Sequence, residues 1–102
     1  MAVVVKLTPD EIAERLAQLS GWEFKDNAIS KLFRFKEFME GIRFVKEVAE
    51  MAEAADHHPD IAINYTRIRF SCTTHSEGGV TAKDFKLATE IERAFKAAGG
   101  HR

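Results

Sequence analysis

Ile61-Ala62-Ile63-Asn64-Tyr65-Thr66-Arg67-Ile68-Arg69-Phe70-Ser71-Cys72-Thr73-Thr74 is the stretch on which the fold turns. Ile61, Ile63 and Tyr65 repeat with period two, and so do Ile68, Phe70 and Cys72, but on the opposite parity. Side chains alternate faces along a strand, so one uninterrupted strand cannot keep both sets on one face. Two strands joined by a tight turn around Tyr65-Thr66-Arg67 explain the switch, and so does one strand with a bulge. Periodicity leaves both open.

Upstream, Lys36 to about His57 contains no Pro and one Gly, with Phe38, Ile42, Val45, Val48, Ala49 and Ala52 at the spacing of an amphipathic helix. Pro59 is expected to stop it, because the residue before a proline is pushed out of the helical region. Before that helix, Trp22-Glu23-Phe24-Lys25 alternates, Asp26-Asn27 marks a turn, and Ile29, Lys31, Phe33 and Phe35 share one side against Ser30, Leu32 and Arg34. This predicts a hairpin, imperfectly patterned. Earlier still, Thr8-Pro9-Asp10-Glu11 supplies an N-cap, a first-turn proline and a capping-box glutamate. Leu7 and Ile12 stand as a hydrophobic staple, and Ile12, Leu16 and Leu19 continue a stripe to Ser20-Gly21.

Downstream, Ser76-Glu77-Gly78-Gly79 reads as a flexible turn. Thr81 and Asp84 then open a last helix carrying Leu87, Ala88, Ile91, Ala94, Phe95 and Ala98, ended by Gly99-Gly100. The order α-β-β-α-β-β-α with short connections predicts an α+β fold: a four-stranded antiparallel sheet with three helices on one face. No linker or repeat divides residues 1–102, which are expected to form one domain. A sheet covered on one side leaves edges and a face for a second subunit, so a homodimer or homotetramer is expected.

Fifteen Lys and Arg against sixteen Asp and Glu give a formal net charge of −1, which argues against direct nucleic-acid binding. The single Cys72 rules out an internal disulfide and fits a reducing compartment. Met1 to Val5 is apolar, but Lys6 follows at once, so the reading is a soluble cytoplasmic protein without signal peptide or membrane span.

Chemistry concentrates in Glu53-Ala-Ala-Asp56-His57-His58-Pro59. Glu53 and His57 lie one helical turn apart, so the carboxylate is expected to orient the ring and stabilise a charge on it, with Asp56 as a second tuning group. Consecutive helical residues point about 100° apart, so His57 and His58 are assigned different roles unless the helix ends between them. Both also suit the negative end of a helix dipole, a purely structural alternative. His75 is expected to close the last strand before the Gly-Gly loop, where scaffolds present functional side chains. No His-Glu-x-x-His or Cys pair is present, so no metal site is expected. Cys72 shares the apolar parity of its strand and reads as core rather than nucleophile. Asp84 can both complete a cap and add a carboxylate to the histidine pocket, while Tyr65 and Trp22 read as core or interface aromatics.

The pattern Glu53-x3-His57-His58-Pro59-x5-Tyr65-x9-His75-x8-Asp84, with Gly21-Trp22 and Phe33-x-Phe35 upstream, resembles the signature of the pterin-4a-carbinolamine dehydratases over nearly the whole chain. The resemblance implies the same α+β fold and resolves the switch at Tyr65 as a hairpin turn. It implies dehydration of 4a-hydroxytetrahydrobiopterin, or a related 4a-hydroxytetrahydropterin, to quinonoid dihydropterin and water, in recycling the spent cofactor of an aromatic amino-acid hydroxylase. No cofactor or metal is implied. By that similarity His57 and His75 do the acid/base work, in an order left open, and His58 binds and orients substrate. Pro59, Thr73 and Thr74 shape the pocket, and Glu53 and Asp84 orient or tune the imidazoles. Two positions depart: Ile61 where the family commonly has Trp, and Lys83 where it has Arg. The different-class alternative is a non-catalytic dimerisation cofactor or assembly scaffold on the same fold, against which retention of all three histidines argues.

Overall fold

The computed structural model describes residues 4–99. Helix α1 (Pro9–Leu16) starts as its sequence dictates: Thr8 accepts from the Glu11 backbone, and Glu11 reaches back to the Thr8 N–H at 2.8 Å. Those bonds from the Thr8 backbone and hydroxyl hold the Glu11 carboxyl below the usual carboxylate range. The cap therefore contributes above that range and is lost as pH falls through the lowered value. The helix stops short of Ser20-Gly21, because Gln18 and Leu19 bond back three residues to Arg15 and Leu16 and tighten the chain out of α geometry.

Strands β1 (Glu23–Lys25) and β2 (Ala28–Arg34) form the first hairpin, with Lys25 opposite Ala28 and Asp26 and Asn27 both at positive φ, the type I′ geometry. Strands β3 (Asp60–Asn64) and β4 (Arg67–Cys72) form the second, so the parity switch is a two-residue turn with Tyr65 at φ 55°. The sheet order is β1-β2-β4-β3, antiparallel throughout. Its register puts Ile29, Phe33, Ile68, Phe70 and Cys72 on one face. There they join residues of α2 (Phe38–Ala55) and α3 (Ala82–Ala97) and Ile12 of α1 in one core.

Helix α2 buries part of the expected stripe, with Val48 and Ala52 in the core and Val45 packed against it. Its buried residues are Gly41, Phe44, Val48 and Ala52, whereas Phe38 and Ala49 are exposed. At Gly41 the helix comes close to the sheet: a Cβ there would stand 2.7 Å from Ile68 Cδ1 and 3.3 Å from Phe35, so any larger residue would force these neighbours to shift. Phe38 instead stacks on exposed Tyr65 at 6.3 Å, so Tyr65 is not a core aromatic, while Trp22 is buried and donates from its indole N–H to Glu92. Lys31 bridges the same Glu92 carboxylate and the Ser20 carbonyl, tying β2 to α3.

The central helix also ends earlier than expected. Asp56 takes the left-handed conformation (φ 50°), its N–H bonds Glu53 O, and the His57 N–H bonds Ala52 O at 3.0 Å. This is the Schellman pattern, in which the chain leaves the helix before Pro59 acts. Of the expected Gly99-Gly100 stop, Gly99 has φ 100°. Gly100 and the apolar Met1–Val3 lie outside the described residues. No helix among the described residues is long and apolar enough to cross a membrane.

Candidate active site

The early end of α2 decides which side chain meets which. With the helix finished at Ala55, His57 is not stacked one turn above Glu53, and the expected Glu53–His57 pair does not form. Glu53 instead accepts from His58 Nε2 at 2.7 Å, an exposed pair. His57 turns inward and bonds Asp84 Oδ1 through Nε2 at 2.5 Å. Asp56 is the helix cap, and among the described residues its carboxylate bonds neither imidazole.

Asp84 is fully buried and occupies the third position of α3, so the structural and chemical readings of this residue hold together. Its Oδ2 accepts from the Thr81 N–H at 2.8 Å, completing the cap, and from the Thr74 hydroxyl at 2.8 Å. Thr74 thereby spends its only proton, so the 2.8 Å contact between the two threonine hydroxyls has Thr81 donating to Thr74. Among the described residues no buried side-chain nitrogen or oxygen lacks a hydrogen-bond partner. A carboxylate only accepts, so the third contact requires the His57 proton on Nε2 and leaves Nδ1 as the nitrogen with a free lone pair.

His75 does not close a strand. Strand β4 stops at Cys72, Thr74 pairs with Gly79 in an isolated bridge, and His75 begins a short 3₁₀ turn (His75–Glu77) that ends on Gly78 at φ 76°. Its side chain is exposed, one residue beyond the hydroxyl that touches Asp84. Thr73 and Thr74, expected to shape a pocket, both use their hydroxyls internally, Thr73 on the Asn27 carbonyl at 2.8 Å. An open cleft of about 600 Å³ runs beside His58, Pro59, Ile61, Glu53 and Ala49. A smaller one of about 240 Å³ between Phe35, Phe44, Phe95 and Arg43 holds no histidine.

Cys72 sits in the core as expected, and burial, reinforced by the charges of Asp84 and Asp60, pushes its thiol far above the usual range. It is a poor nucleophile for that reason. Native protein is expected to resist iodoacetamide at pH 8 for hours while the unfolded chain is alkylated in minutes; equal rates by mass spectrometry would contradict the burial.

Sequence reasoning missed the partner exchange at Glu53 and the part played by Asn27, whose side chain donates to Gly78 O at 2.8 Å. The positive φ that an Asp-Asn turn tolerates was legible; its reach to a loop fifty residues away was not.

The model of the family described as Pterin 4 alpha carbinolamine dehydratase matches residues 5–94. Curated relatives bearing that designation include one from Sulfolobus acidocaldarius, 44% identical over 87% of this chain and 98% of its own. Another, from Chloroflexus aurantiacus, is 51% identical over 85% of this chain and 94% of its own. A solved transcriptional coactivator/pterin dehydratase from Brucella melitensis superposes with a TM-score of 0.83 at 38% identity, covering 93% of this chain and 99% of that one. A pterin dehydratase-like RuBisCO assembly factor of the alpha-carboxysome, at 18% identity and a TM-score of 0.58 over 79% of this chain and 89% of its own, shares the fold alone. With the model spanning most of the sequence and relatives near half identity along nearly their full length, the chain belongs to the pterin 4 alpha carbinolamine dehydratase family.

Proposed function

We propose that the chain dehydrates a 4a-hydroxytetrahydropterin, such as 4a-hydroxytetrahydrobiopterin, to the quinonoid dihydropterin and water, returning a hydroxylase's spent cofactor toward use. The observation that carries the reading is the contact of His57 Nε2 with the buried Asp84 carboxylate at 2.5 Å, which orients a ring whose other nitrogen has no hydrogen-bond partner among the described residues. Elimination breaks the C4a–O bond, whose electron pair leaves with oxygen. A proton from one imidazolium turns that oxygen into water, while the other imidazole takes the N5 proton and the N–H electrons form the C4a=N5 bond. The reaction is redox-neutral, and imidazole, which can both give and take a proton at a ring nitrogen, suits its two proton transfers.

His57 and His75 take these roles, His57 acting through Nδ1. His58, exposed beside the cleft and held by Glu53, binds and orients the ring system. The absence of an indole at position 61 leaves Ile61 and Pro59 as the apolar floor.

Stopped-flow absorbance on synthetic 4a-hydroxytetrahydropterin tests the reading. The protein is expected to accelerate dehydration and to remain active in chelator; a rate equal to the buffer-catalysed background would overturn it. The second reading is a binding role, supported by the Brucella melitensis relative's naming as both transcriptional coactivator and dehydratase and by the exposed Phe38–Tyr65 stack. The same assay separates the two.

A further inference from the structure

Of the histidines in the site, His75 is the one whose side chain no described contact holds, so its position depends on the backbone beneath it. That backbone is a four-residue excursion between Thr74 and Gly79, closed by Thr74 N–H to Gly79 O at 3.0 Å and Gly79 N–H to Thr74 O at 3.3 Å. Within it, Glu77 N–H bonds Thr74 O and Gly78 N–H bonds His75 O. Such a loop can swing as a unit about its bridge unless another element holds it.

One element does. The β1–β2 turn lies against the excursion: Thr73 Oγ1 donates to the Asn27 carbonyl, and Asn27 Nδ2 donates to Gly78 O at 2.8 Å. Gly79 is packed so closely that a Cβ there would stand 3.0 Å from Asn27 Oδ1. Among the described residues, the Asn27 amide makes the hydrogen bond that reaches residues 75–78 from outside the excursion. We infer that Asn27 is a positioning residue for His75, latching the histidine loop to the hairpin turn. The inference rests on the dehydratase reading for its catalytic consequence, and on the hydrogen bonds alone for the latch.

The turn offers a clean test, because both of its residues stand at positive φ, Asp26 at 52° and Asn27 at 61°. Asn27→Gly creates Asp-Gly, a preferred type I′ pair, so the hairpin keeps its geometry and the backbone acceptor for Thr73 while the latch is lost. Asp26→Gly changes the same turn by the same kind of substitution without touching the loop. Asn27→Gly is expected to lower kcat by about three- to tenfold with KM within about twofold, the scale of one exposed hydrogen bond. Amide exchange at Gly78 should rise by about fivefold in that variant alone. Asp26→Gly should match wild type in kcat. Asn27→Asp, which tolerates the same φ but turns a carboxylate toward the Gly78 carbonyl, should fall at least as far as Asn27→Gly.

Equal effects of the two glycine variants would mean that turn stiffness matters and the latch does not, overturning the inference. Faster exchange with unchanged kcat would overturn it too, since the loop would then be held without consequence for His75. If wild-type protein shows no dehydratase activity, the proposed function fails, and amide exchange still decides whether Asn27 holds the loop, with an unchanged Gly78 rate counting against it.

Discussion

His57→Ala and His75→Ala are each expected to lower kcat by about 10²–10⁴-fold, the usual contribution of a positioned general acid or base, with KM nearly unchanged. His58→Ala should instead chiefly raise KM, because its ring is exposed and, among the described residues, is held by the exposed Glu53 alone. The two single variants should differ in stability. Removing His57 deprives a fully buried carboxylate of one of its three donors, so the melting temperature should fall along with kcat. Removing His75, exposed on its 3₁₀ turn, should leave the melting temperature close to wild type. If water lets one imidazole stand in for the other, the singles fall less than the double, a coupling that a double-mutant cycle measures directly. A folded His57→Ala/His75→Ala protein with wild-type kcat would rule out the mechanism while leaving the family membership intact.

Asp84 carries the second large effect, and two substitutions separate its roles. Asp84→Ala strands the Thr74 hydroxyl, the Thr81 N–H and the His57 ring at once, and should cost about 3–5 kcal/mol of folding stability, the scale for removing one partner of a buried charged network. Asp84→Asn keeps the shape. Its amide oxygen must still accept from Thr74 and Thr81, so the amide nitrogen faces His57 Nε2, which can then only accept. The ring proton moves to Nδ1, and the lone pair assigned to substrate is gone. This variant is therefore expected to lose about 10²–10⁴-fold in kcat, as for loss of a general acid or base, with much less loss of melting temperature than the alanine. Nitrogen chemical shifts of the His57 ring would report the tautomer directly. An asparagine variant that unfolds like the alanine while keeping its kcat would mean the residue is only a helix cap.

Thr8, Glu11, Thr81 and Asp84 announced two helix starts because capping is a local code of four residues. The second hairpin was visible as a parity switch, since a two-residue turn reverses which positions face the core. The end of α2 was not visible: left-handed caps favour glycine, and here the residue is Asp56, so the apolar period ran on past the true stop and placed His57 over Glu53. The stripe on α2 was legible at Val45, Val48 and Ala52 but not at Gly41, which looks like a weak point in a helix yet is where the helix comes close to Ile68. Contacts across the fold, such as Asn27 to Gly78 and Lys31 to Glu92, join positions with no shared period and leave no local trace.

The sheet order has a kinetic consequence. All of the proposed acid/base and binding residues lie between Glu53 and Asp84, yet β4, which leads into His75, is an interior strand flanked by β3 from its own hairpin and by β2 from the other end of the chain. The local β3–β4 pairing has little loop to close, whereas β2–β4 must first bring together residues about forty apart. Activity regained during refolding therefore reports the later, nonlocal event, and a fragment holding residues 53–84 contains the chemistry's full alphabet without the strand that spells it.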